Sequence, residues 1–281
     1  MPDEVDELRD LPDPVERAKR VGELIGRYQA RLAELARMRR EAIDDLRAGG
    51  LSQAQVAKHL GLTRGRVAQL ASAGPPPERA FLGTDTVTVA IGSKTEASKP
   101  TGRAGPAVAQ EDFRAYEEFR EICRAYDLDT SYEFVAPPGM VHLNRDNLAV
   151  ICGPRLSPLL AQVIESDTAL EFTSDDAGWH LMERATHAVY RSPMDQGRPA
   201  DVGYLARLPR PDGKGSFLYI AGIHAVGATG VIHYLERDLA EVYREVRTRR
   251  FSTLVSCEFD PSTLEIKSSE RITALFRHEG S

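Results

Sequence analysis

The chain has 281 residues, 42% hydrophobic and 28% charged, which is enough apolar material for one large domain or two smaller ones. A formal net charge of -6 argues against a surface that is basic all over. No apolar run reaches the length of a secretion signal or a membrane span, so the expected compartment is the cytoplasm and no membrane partner is expected. The three cysteines, Cys123, Cys152 and Cys257, lie far apart. They show no CxxC or Cys/His spacing, so no metal site and no disulfide framework are expected.

In chain order, residues 1–13 form an acidic tail with six acids against one arginine, expected to fray. Asp13-Pro14 then opens a helix predicted to run to about Arg47, ended by Gly49-Gly50. Its apolar residues Ala18, Val21, Ile25, Tyr28, Leu32 and Leu35, then Ala42 and Leu46, fall mostly three or four apart. That is a heptad seam broken by Arg39. A lone helix cannot bury such a seam, so it must fold back or pair with a second copy. The homodimer is the preferred expectation.

Leu51 to Ala71, LSQAQVAKHLGLTRGRVAQLA, has the spacing of a helix-turn-helix. Ala57 is a small residue at the helix crossing and Gly61 takes the tight turn. Val56, Leu60, Leu62, Val67 and Leu70 are predicted to form the inner faces. Thr63 stands at the N-cap of the second helix. Arg64, Arg66, Gln69 and Ser72 are left pointing outward, with Thr63 beside them, as candidate contacts to double-stranded DNA. Arginine and glutamine match guanine and adenine edges in a major groove. Residues 14–72 hold twelve basic and six acidic side chains, so the positive charge gathers where phosphates need it. The predicted DNA-binding domain is therefore 14–72, followed by a stiff linker at 73–84 containing AGPPPER.

From 85 to 281 the pattern becomes α/β. Strands are predicted at 86–92, 131–135, 147–152, 217–223 and 251–259, and helices at 110–126, 157–165 and 231–246. Residues 93–110 are predicted to be a mobile loop, 207–215 a turn-rich loop, and the tail after 259 polar. Leu170–Thr173, Trp179–Met182 and Thr186–Arg191 read as a small antiparallel insertion. The expected fold class is α plus α/β, with a mostly parallel sheet.

Three strands end in glycine and point to one ligand edge. The candidate residues are Gly92, Ser93 and Lys94 after the first; Gly153 and Arg155 after the third; and His224, Gly227, Thr229 and Gly230 in GIHAVGATG. The amides of Gly227 to Val231 are predicted to form an anion nest at a helix start, with Lys94 and Arg155 adding charge. A phosphorylated small molecule is the expected ligand, although the spacing matches neither a Walker loop nor GxGxxG. His224 is a weak candidate for acid–base work, while Asp195 and Asp201 read as turn residues around Gly197 and Arg198. No GxSxG and no paired carboxylates appear, so no cofactor is named.

The block VERAKRVGELIGRYQARLAELARMRREAIDDLRAGGLSQAQVAKHLGLTRGRVAQL resembles the helix-turn-helix module of actinobacterial regulators of the sigma-factor region 4 type. That resemblance covers about the first quarter of the chain. It implies that the second helix reads a major groove through Thr63, Arg64, Arg66 and Gln69. VTVAIGS, LAVICGPR and LYIAGIHAVGATG loosely resemble a Rossmann-like nucleotide-sensing domain. The expected function is a DNA-binding transcriptional regulator that senses a small ligand. The alternatives are a nucleotide- or nucleoside-processing enzyme with a DNA-binding head, or an interaction platform without ligand.

Overall fold

In the computed structural model, which describes residues 4–9, 11–72, 75–95 and 105–278, the chain divides into two units, Met1–Pro77 and Glu78–Ser281. The first is helical: α1 (Glu4–Arg9), α2 (Pro14–Ala48), α3 (Gln53–Leu60) and α4 (Arg64–Ser72). The tail expected to fray is thus helical over α1. Helix α2 starts where the Asp13 side chain accepts from the Val15 amide at 3.0 Å, with Pro14 in the first turn, where a missing N–H costs nothing. It ends at Gly49-Gly50, and Gly50 takes φ 91°. One face of α2 carries Ile43, buried against Val56, Ala57, Val67 and Leu70 of α3 and α4. The remainder of its apolar seam, Val21 to Leu35, is largely exposed.

The second unit begins with α5 (Arg79–Leu82), inside the segment expected to be linker, where Phe81 and Leu82 are buried. There follow β1 (Val87–Gly92), the short pair β2 (Lys94–Thr95) and β3 (Pro106–Ala107), α6 (Gln110–Ala125), β4 (Thr130–Val135) and β5 (Leu148–Ile151). Much of the loop predicted over 93–110 lies outside the described residues. Helix α7 (Pro158–Ile164) precedes a separate antiparallel sheet of β6 (Leu170–Asp175), β7 (Gly178–Glu183) and β8 (Val189–Arg191), in line with the expected insertion. The chain finishes with β9 (Ala200–Pro209), β10 (Ser216–Gly222), α8 (Ala225–Val246), β11 (Phe251–Phe259), β12 (Ile266–Arg271) and β13 (Phe276–Arg277).

The main sheet is mixed, in the order β12-β11-β9-β10-β5-β1-β4, with β13 on β11. Strands β4, β1, β5 and β10 are mutually parallel, whereas β9, β11, β12 and β13 extend the sheet through antiparallel pairs. Three features depart from the sequence reading: β9 covers residues read as turns, α8 starts six residues early, and the tail supplies two strands. Both faces are covered. Phe119 of α6 and Val231, Leu235 and Leu239 of α8 pack on Val89, Ile151, Leu218 and Ile220. On the other face Leu160 of α7 and Leu170 and Leu181 of the small sheet pack on Val150, Tyr204 and Tyr219. Each such aliphatic side chain contributes about 1.5–3 kcal/mol by leaving water.

Candidate functional site

In the first unit the local rules agree with one another. Ser52 accepts from the Gln55 amide at 3.4 Å while the Gln55 side chain accepts from the Ser52 amide at 2.8 Å, closing a capping box at the start of α3. Gly61 ends α3 at φ 64°, ψ 28°, a left-handed turn that glycine adopts without strain. The Thr63 hydroxyl accepts from the Arg66 amide at 3.1 Å and so caps α4. Val67 and Leu70 bury one side of α4, leaving Thr63, Arg64, Arg66 and Gln69 exposed. The Arg66 guanidinium donates to Gln69 Oε1 at 2.8 Å, aligning two of these side chains one turn apart. Ser72 is the last residue of α4, and its side chain lies outside the described residues. Leu60 and Leu62, expected inside, stay substantially exposed; Ile43 and Leu46 of α2 supply the third wall instead.

In the second unit the parallel strands present their carboxyl ends along one edge. Strand β1 has its next parallel neighbour in sequence, β4, on one side and the following one, β5, on the other. Its end is therefore the place where strand order reverses, the usual position of a ligand in an open parallel sheet. Lys94 follows β1 and is exposed; Arg155 follows β5 and donates to the Ile223 carbonyl after β10 at 3.2 Å. Helices α6 and α8 start at this edge, joined by a 3.4 Å hydrogen bond from the Thr229 hydroxyl to the Glu111 carbonyl. Asp112, in the first turn of α6, has its carboxyl pushed up to about 6, chiefly by burial, with Lys94 and Arg155 pulling it back.

The remaining candidates are distributed differently from the expectation. Ser93 is buried and donates to the Val135 carbonyl at 3.0 Å, so its hydroxyl is committed to the fold. A Cβ on Gly92 would meet Cys152 Sγ at 2.6 Å, which makes that glycine a packing residue, whereas Gly153 faces open space apart from the Arg155 side chain. Gly227, Thr229 and Gly230 belong to α8 itself, so the predicted loop nest of amides does not form. Beside that helix start stands Asp201. This fully buried residue of β9 accepts from the His224 amide through Oδ2 at 2.9 Å. Its carboxylate thus fills the position at the α8 start where an external anion would sit.

His224, half-buried, also points its Nε2 at Asp195 Oδ1, 2.8 Å away, from a turn closed by Gly197 at φ 76°. Burial pushes the Asp201 carboxyl up to about 6, with the hydrogen bond from the His224 amide pulling it back. All three thiols are buried and pushed up to about 12 by desolvation, far from a reactive thiolate. Asp112 was missed in the sequence because nothing local ties a first-turn acid of α6 to the loop after β5. The turn reading of Asp201 fails because the alternation of β9, Val202, Tyr204, Ala206 and Leu208, is accompanied by charged residues, Asp201 before it and Arg207 within it.

Comparison with family models, with known proteins and with solved structures returns no match. No helix among the described residues is long and apolar enough to cross a membrane.

Proposed function

We propose that this chain is a cytoplasmic, homodimeric transcriptional regulator. Its helix-turn-helix, α3 and α4, reads double-stranded DNA, and its Rossmann-like second unit senses a small anionic ligand of nucleotide type. The observation that carries the reading is the two-sided character of α4. Val67 and Leu70 are anchored in the core while Thr63, Arg64, Arg66 and Gln69 face outward on a capped helix of groove size. The excess of positive charge in residues 14–72 supports the same reading.

The proposed ligand edge is the carboxyl end of β1, with Lys94 and Arg155 as anion contacts and Asp112 beside them. The test is binding-site selection from random duplex DNA, followed by titration of the selected site. Arg64→Ala and Arg66→Ala should each weaken specific binding by roughly 1–3 kcal/mol with little change on unrelated DNA. Nucleotides should shift the affinity of the wild type but not of Lys94→Ala/Arg155→Ala. An absence of sequence preference sinks the reader, and an unchanged affinity with every nucleotide sinks the sensor.

One observation favours a second reading, nucleotide or nucleoside processing. The His224–Asp195 pair stands at the same edge, next to a buried acid that holds the His224 backbone. Turnover of a nucleotide panel that disappears in His224→Ala would establish it.

A further inference from the structure

The exposed stripe on α2 names the partner of the proposed DNA-reading unit. It rests on that reading for its purpose, although its evidence is separate. Val21, Ile25, Tyr28, Leu32 and Leu35 follow steps of four, three, four and three, and are 37 to 65% exposed. A spacing of 3.5 residues is the pattern of helices that supercoil and interlock their side chains. At 1.5 Å per residue the stripe runs for about 20 Å. At its start Val5 and Leu8 of α1 join Val21, Leu24, Ile25 and Tyr28 around an open apolar cleft of about 300 Å³.

We propose that α2 pairs antiparallel with α2 of a second copy of this chain, with Ile25 against the partner's Tyr28 and Val21 against the partner's Leu32. Charge decides both the occupant and the direction. Residues 27–40 carry five arginines and one glutamate, whereas residues 13–26, which face them in this antiparallel register, carry three acids and three basic residues. Antiparallel packing sets the partner's Asp13 and Glu16 opposite Arg40 and Arg37, in place of a second arginine-rich stretch. It also leaves Arg39 opposite the partner's Pro14, between the partner's Asp13 and Glu16. Parallel packing would put Arg39 against the partner's Arg39 within the seam and align like charges along its whole length. In the antiparallel pair the two Ile43 positions stand about 50 Å apart along the coil, which carries one reader at each end.

The test uses the full chain without DNA. Sedimentation equilibrium at micromolar concentration should give a dimer, and Leu32→Glu, at a position already facing water, should raise the dissociation constant at least tenfold with unchanged circular dichroism. Mixed under reducing conditions and then oxidised, Val21→Cys and Leu32→Cys chains should cross-link to one another, while Leu32→Cys alone should not. A monomeric wild type, or a Leu32→Cys chain that cross-links to itself in preference to Val21→Cys, overturns the proposal. A monomer that still selects a DNA site would leave the reader standing and remove the coil. A dimer without DNA affinity would do the reverse.

Discussion

A carboxyl group with no exposed surface has to be held by something, and Asp201 is held largely by the His224 amide at the start of α8. Burial raises its pKa to about 6 from an ordinary value of 3.8. Folding therefore favours the protonated form. The stabilisation associated with that proton is complete below pH 4 and is lost as the pH rises through 6. Asp201→Asn keeps an acceptor for the His224 amide and removes the ionisation. Relative to wild type, it should be about equal in stability at pH 4 and gain up to about 2–3 kcal/mol at pH 7, read from urea unfolding at both values. A difference independent of pH would show that the carboxyl ionises without penalty. Arg207, at the other end of the same strand, meets burial in another way. Its guanidinium donates to the Phe81 carbonyl and lies 5.2 Å from the Phe81 ring centre, and burial brings its pKa down to about 10.

At the scale of the element, glycines that look alike in the sequence differ in what surrounds them. A Cβ on Gly227 would meet Asp201 Oδ2 at 2.5 Å and the Val202 carbonyl at 2.9 Å, because α8 crosses β9 at close range there. Gly227→Ala should therefore destabilise by about 1–3 kcal/mol despite the better helix propensity of alanine. Gly153→Ala, in open space, should change stability by less than about 0.5 kcal/mol; thermal unfolding of the two variants decides.

The same contrast explains which elements could be read in advance. Strands β1, β5, β10 and β11 are short β-branched or apolar runs buried on both faces, and their composition announces them. The sequence pattern places the start of α8 late because Gly227 and Gly230 disfavour a helix locally, and only packing against β9 and Cys257 makes them necessary. Strand β9 was hidden by a buried charge at each end, Asp201 and Arg207. Their partners come from the start of α8 and from α5, which no local pattern reveals.

At the scale of the whole chain, the division into two units was legible in the AGPPPER break and in the change of period after it. The meeting of Lys94, Asp112 and Arg155 was not, since it follows from the strand order β4-β1-β5-β10, which depends on pairings between distant segments. Similarly, the periodic seam of α2 could be read from spacing, but only the structure leaves Leu32 and Leu35 facing water. The self-supplied acid at the start of α8 has a consequence for selectivity. Rigid backbone amides grip a tetrahedral oxyanion by its outline; here that socket is plugged from within. An anion bound at the proposed edge would meet instead two cationic side chains, the exposed Lys94 and Arg155, which respond to valence more than to contour. A sulfonate should therefore be accepted there nearly as readily as a phosphate of equal charge.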